Sequence, residues 1–367
     1  MPRVEFRRIC KTYPDGTRAV ADLDLVVEDR EFLCVLGPSG CGKSSTLRML
    51  AGLEAVTSGD LLLDGERVND VPAQARDMAM VFENYALYPH LRVFDNIAMP
   101  LVARRRPRAE IRERVRQVAE TLRITEHLGK RPHTLSGGQR QRVALGRAIV
   151  RTPRMFLMDE PLGHLEAYLR VQLRAEVRRL HERLGATTVY ITHDQEESAA
   201  VSDRIAVMAG GRLQQLGTLL DLLDRPVNRF VAEFIGDLPI NILPATLGEG
   251  GLRVGPALLR LTPRQADSLG QGYGHDLSFG IRPQDVTLAH LAGDGTLPGQ
   301  VTLLEPQGSR TVVIADTPAG RMSAVAASHA VPPAGAAAHF RFDMERAHLF
   351  TADGINLFHA GKERRSR

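Results

Sequence analysis

"FLCVLGPSGCGKSS", residues 32–45, joins a five-residue apolar run to a glycine-rich loop and the start of a helix. The apolar run has the length of a buried strand. The loop Gly37-Pro38-Ser39-Gly40-Cys41-Gly42-Lys43-Ser44 follows it directly and fits G-x-x-x-x-G-K-[ST]. Strand, loop and helix in that order are the context in which the pattern means a phosphate cradle. Glycines let backbone N–H groups wrap phosphoryl oxygens, and a helix beginning near Lys43 aims its positive end at them. Lys43 is placed to neutralise β- and γ-phosphates, Ser44 to ligate Mg²⁺ and Ser45 to donate to the α-phosphate. Lysine occurs only at 11, 43, 130 and 362, arginine supplying the other basic charge. A lysine in the cradle therefore stands out, and a compact ammonium on a flexible stem suits it.

Outward from this loop the chain alternates strands and helices. Strand-like runs lie at 78–82, 155–159 and 188–192, and helix-like stretches at 43–51, 109–123, 139–150 and 165–184. Such alternation predicts an α/β fold with a parallel, covered sheet. "RMFLMDEP" (154–161) ends a buried strand in two carboxylates. Asp159 is placed for the Mg²⁺ shell and Glu160 for polarising an attacking water as general base. "LSGGQRQRVALGRAIV" (135–150) opens a helix with a serine and two glycines, a second anion site made of backbone amides. One nucleotide does not need two such sites in one chain. A head-to-tail dimer resolves this, with Ser136 and Gly138 facing the nucleotide held by the partner's phosphate loop. "MAMVFENYALYPH" (78–90) sets Glu83 at the carboxyl end of a core strand, where open α/β sheets bind ligands.

The chain has 367 residues, 43% hydrophobic and 25% charged, which predicts a globular protein of two domains. No apolar run approaches the ~18 residues that span a bilayer, and the first residues lack a signal-peptide hydrophobic region. The expectation is a cytoplasmic protein whose membrane role comes through a partner. Cys10, Cys34 and Cys41 are too few and too unevenly spaced for a disulfide framework or zinc site. A net charge of +4 argues only weakly for nucleic acid. The arginines at 104–108 lack aromatic interleaving and read as a solvated approach to a helix. Residues 86–150 carry more helix than the sheet requires, with Ile111, Val115, Val118 and Leu122 at helical spacing. After "NRFVAEFIGD" (228–237), short β-like runs among glycine and proline turns predict a second, all-β domain resembling a small barrel.

"GPSGCGKS", "LSGGQ", "MDEP" and "THD", in this order, resemble the ATP-binding subunits of ABC transporters. The resemblance covers residues 3–236 and implies a P-loop NTPase domain of the ABC type over 1–236. It includes a helical subdomain over about 86–150. It implies ATP and Mg²⁺ as cofactors, with Tyr13 stacking on adenine and His193 touching the γ-phosphate. It also gives Ser136, Gly137, Gly138 and Gln139 to the partner's nucleotide. "ENYALYPHLRVFDNIAMPL", "THDQEE" and "GIRPQDV" narrow the resemblance to the importer branch serving maltose, multiple sugars and glycerol 3-phosphate.

In that branch residues 237–367 would form an OB-like, TOBE-type domain for regulation and dimerisation. The implied assembly is a homodimer, or a heterodimer with a close paralogue, on the cytoplasmic face of the membrane. Two permeases would dock on the 83–100 segment through Tyr85, Leu87, Tyr88 and Pro89. An extracellular solute-binding protein would take part indirectly, and no nucleic acid. Importers of polyamine, iron or sulfate share much of the pattern. Two rivals are a soluble ABC ATPase acting on nucleic acid and a nearly silent nucleotide-binding regulator.

Three positions depart from the family. Glu83 replaces a glutamine that reaches Mg²⁺ and the attacking water; as a carboxylate it can still ligate Mg²⁺, but adds negative charge beside Glu160. Gly163-His164-Leu165-Glu166 replaces Ser-x-Leu-Asp. Arg30 stands where glycine commonly precedes Glu31.

Overall fold

The computed structural model describes residues 2–151, 153–163, 165–269, 276–289 and 291–358. It divides into two compact units, Met1–Leu219 and Leu220–Arg367.

The first unit runs β1 (Val4–Thr12), β2 (Arg18–Val27), β3 (Phe32–Leu36), α1 (Lys43–Ala51), β4 (Ser58–Leu63), β5 (Glu66–Arg67) and β6 (Met78–Val81). It continues through α2 (Val93–Ala103), α3 (Arg108–Thr121), α4 (Gly137–Ile149), β7 (Met155–Asp159) and α5 (Ala167–Leu184). It closes with β8 (Thr187–Thr192), α6 (Gln195–Val201), β9 (Arg204–Ala209) and β10 (Arg212–Gly217). Six strands form one sheet in the order β10-β9-β3-β8-β7-β6, parallel except for the β9–β10 hairpin. Every residue of β3, β7 and β8 is buried, as strands covered on both faces must be. The parallel register brings the carboxyl ends of β3, β6, β7 and β8 to one edge.

A second, antiparallel sheet, β2-β1-β4-β5, shares a core with the first through residues such as Phe6, Leu25, Leu47, Leu61 and Val189. The expected helices and core strands match the observed ones to within one or two residues. The strands absent from the expectation are β1, β2, β4, β5, β9 and β10 in this unit. β1 loses its alternation at bulges, where its pairing with β2 slips and Arg8 and Asp22 take positive φ of 47° and 48°. The period-two signal is broken there.

The second unit carries α7 (Leu219–Asp224), α8 (Arg229–Phe234), β11 (Asn241–Gly248), β12 (Gly251–Val254), β13 (Ala257–Leu259) and α9 (Pro263–Ser268). Then come β14 (Leu277–Ile281), β15 (Val286–Ala289), β16 (Thr296–Gln307), β17 (Arg310–Thr317), β18 (Gly320–Ala327), β19 (Ala337–Phe342) and β20 (His348–Phe350). Two antiparallel sheets, β13-β12-β11-β14-β20 and β15-β19-β16-β17-β18, close over one core that includes Leu243, Phe279, Val313 and Phe340. This unit begins earlier than the expected boundary at 236/237. Residues 220–236 belong to it because Arg282 donates to the Leu223 and Ile235 carbonyls and Asn356 donates to the Pro226 carbonyl.

Candidate active site

The glycine-rich loop leaves β3 and enters α1. Gly42 caps α1 at φ 100°, and a Cβ there would lie 2.2 Å from the Ala19 carbonyl oxygen, so only glycine fits. No side chain caps the helix and no acidic residue occupies its first turn, which leaves its N–H groups to an anion. Pro38, Ser39 and Gly40 are exposed, whereas Gly37 and Cys41 are buried. The Lys43 ammonium is buried and donates to the Gly37 and Pro38 carbonyls at 2.8 and 3.0 Å. Two of its three protons are thereby fixed.

Three further strand ends lie at the same sheet edge. The Ser44 hydroxyl donates to Asp159 Oδ1 across 3.2 Å, joining α1 to β7. Burial pushes the Asp159 carboxyl above the usual carboxylate range. The Ser44 hydrogen bond and Arg48 oppose this, while the charges of Glu160 and Glu83 add to it. Glu83 is exposed, just past β6. Glu160 has φ 43°, in the left-handed region that side chains rarely enter. It is held there by its N–H on the Ile191 carbonyl and by the Gly163 N–H on its own carbonyl. Such strain persists only where neighbours enforce it, and it clusters at functional sites.

Glu160 Oε2 meets His193 Nδ1 at 2.8 Å. A carboxylate only accepts, so Nδ1 carries the proton of that bond. His193 stands at the end of β8, beside a buried network. There Tyr190 and Thr192 both donate to Glu197, and Asp194 caps α6 by accepting the Glu197 N–H. The structure thus brings Lys43, Ser44, Asp159, Glu160 and His193 to one sheet edge, with Glu83 in electrostatic reach.

Other expected residues are placed by local chemistry. The Tyr13 hydroxyl lies 2.9 Å from Ser45 Oγ and donates to Glu54 at 2.7 Å, while the Lys11 ammonium sits over the Tyr13 ring. Ser136 and Gln139 form a capping box at the start of α4. A Cβ on Gly137 would stand 2.9 Å from the tip of the Leu165 side chain, a flexible end that can shift to admit it. On Gly138 it would meet only Leu169 and Leu173 at 3.7 Å or more, an ordinary contact. Glu166 precedes α5 without a side-chain capping bond. His164 lies outside the described residues.

Comparisons with known proteins place the chain in a family. Residues 20–163 match the ABC transporter family and residues 279–350 match the TOBE domain. The trehalose/maltose import ATP-binding protein MalK of Thermococcus litoralis is 47% identical, the alignment covering 95% of this chain and 98% of that one. This chain belongs to the ABC transporter ATP-binding family. Another member, the sn-glycerol-3-phosphate import ATP-binding protein UgpC of Chromohalobacter salexigens, is 44% identical over 99% of this chain and 98% of its own. Among solved structures, the dimeric structure of the bacterial ABC transporter cassette MJ0796 superposes with a TM-score of 0.54 at 28% identity. It covers 59% of this chain and 98% of its own.

Two residues that hold the segment after Glu83 in place are not apparent from the motifs alone. Arg147, three turns into α4, donates to the Tyr85 and Ala86 carbonyls at 2.8 and 2.6 Å and lies over the Tyr88 ring. Tyr85 and Ala86 both have positive φ, 62° and 44°, so the guanidinium holds a strained turn. Asn96, fully buried in α2, accepts the Tyr88 N–H and donates to the carbonyls of Tyr88, Leu91 and Arg92. Both lie inside quoted motif stretches, but their residue types alone do not single them out.

Proposed function

We propose that this chain is the ATP-hydrolysing subunit of an ABC importer that takes up a carbohydrate or a glycerol phosphate. The observation that carries the reading is the joint placement of Lys43, Ser44, Asp159, Glu160 and His193 at one sheet edge. The phosphate loop and Lys43 bind the β- and γ-phosphates. Glu160 orients the attacking water as general base, its Oε2 tied to His193 and its other oxygen left for that water. His193 reports on the γ-phosphate, and Tyr13 supplies the adenine platform. Ser44, Asp159 and Glu83 would hold Mg²⁺; their all-oxygen donor set suits a hard cation. Mg²⁺ bound there would neutralise charge on the phosphates.

A second copy of this chain, or a close paralogue, brings Ser136, Gly137, Gly138 and Gln139 to the nucleotide. Gly138 supports this, since no neighbour in its own chain demands a glycine there. ATP binding then closes the dimer and hydrolysis reopens it. Residues 83–100 serve two permeases. A cleft of about 470 Å³ lined by Met80, Pro100, Ala103, Arg104 and Arg147 supports that role, as do the exposed Phe82 and Tyr88. Among the described residues no helix is long and apolar enough to cross a membrane. The chain works at the cytoplasmic face through those permeases, with a solute-binding protein outside. The first unit acts as the nucleotide-binding domain, with its helical subdomain at 86–150, and the second acts in regulation and dimerisation.

The two full-length relatives differ in solute, so uptake must identify it. Cells lacking this chain should lose uptake of one labelled substrate among maltose, trehalose and glycerol 3-phosphate. Wild type should restore it and Lys43→Ala should not. Unchanged uptake of all three would remove carbohydrate and glycerol phosphate from the reading.

A further inference from the structure

We propose that the crevice between α3, α4 and α5 binds a small phosphate-bearing anion, at a site separate from the nucleotide cradle. The crevice encloses about 340 Å³, and its lining includes Arg123, Arg142, Arg179 and Arg183 against a single carboxylate, Glu176. That volume lies at the small end of the range for ligand sites. Arg142 uses Glu176, at 2.9 Å. Arg123, Arg179 and Arg183 form no ion pair among the described residues; Arg179 only donates to its own helix, at the Ala175 carbonyl.

Other arginines of α5 are spent differently. Arg170 pairs with Asp194, Arg174 with Asp194 and Glu196, and Arg178 with Glu182 and Asp203. One row of α5 guanidiniums is thus neutralised by carboxylates, while Arg179 and Arg183, one turn apart, face the crevice without them. Like charges at that spacing repel, and an anion between them relieves the repulsion. Guanidinium forks match phosphate oxygens, and Gln172 and Thr121 add polar groups at the rim. The arginines come from two layers. Arg123 and Arg142 belong to the helical subdomain, Arg179 and Arg183 to the helix that follows the Glu160 loop. An anion held by all four ties those layers together.

The test is calorimetry on the full chain presaturated with MgADP, so that the phosphate loop is filled. Fructose 1,6-bisphosphate and inorganic phosphate are titrated separately, to tell a phosphate ester from free phosphate. Binding of either probe to wild type, weakened about tenfold or more in Arg179→Ala/Arg183→Ala with ADP affinity unchanged, is the expected result. Both substituted side chains are exposed, so the fold should survive. Failure of both probes to bind, or equal affinity in the double variant, would overturn the proposal. Neither outcome bears on ATP hydrolysis.

Discussion

Glu83 and Arg30 show how much one residue can change on a conserved-looking frame. The Glu83 charge helps raise the Asp159 carboxyl, so it acts inside the site although the side chain is exposed. Next to a γ-phosphate the extra negative charge opposes the charge that hydrolysis must stabilise. Glu83→Gln should therefore raise the ATPase rate by about three- to tenfold, or about 0.7–1.4 kcal/mol of barrier. Equal rates across pH and Mg²⁺ concentration would retire that role. Arg30 has φ 59°, which explains why a glycine suits the position. A left-handed side chain costs about 1–2 kcal/mol, offset by the extra freedom of an unfolded glycine, about 0.5–1 kcal/mol. Arg30→Gly should accordingly stabilise the chain by about 0.5–1 kcal/mol in denaturant unfolding. A lower midpoint would contradict this. The Arg30–Asp29 pair is exposed at 3.6 Å and adds little.

At the scale of elements, α4 and α5 connect the chemistry to the surface. The capping box of α4 is legible as S-x-x-Q, and it commits the Ser136 and Gln139 side chains to the helix end. The Arg147 clamp is not legible, because an arginine inside an arginine-rich helix carries no pattern. β3, β7 and β8 are legible as largely apolar or β-branched runs of strand length. β1 and β2 are not, since their bulges place polar residues out of phase. α5 packs on the sheet through His181, which bonds Thr188 and sits edge-on to Phe32. Burial, with Arg178 adding to it, lowers the His181 pKa below its ordinary 6.5. A lowered folded-state pKa means the folded chain binds fewer protons, so this contribution is present above pH 6.5 and lost as pH falls below it. His181→Gln should flatten the fall in stability with acid across that window, measured by denaturant midpoints. An unchanged slope would show that His181 is not responsible.

For the whole molecule, the sequence motifs mark strand ends, and parallel pairing brings those ends together. That is why most of the candidate site could be read before the fold. What motifs cannot convey is strain and contact: the left-handed Glu160, its bond to His193, and Leu165 packed over Gly137. Nor do they place the start of the second unit, which depends on Arg282 and Asn356 reaching back to residues 223–235. The account rests on Glu160 acting as general base within an otherwise intact cradle. The most direct test is the steady-state ATPase rate of wild type and Glu160→Gln at matched ATP affinity. We expect measurable wild-type turnover and a fall of about 10²–10⁴-fold in the variant, the usual worth of a positioned base. A variant hydrolysing ATP at the wild-type rate would contradict the account.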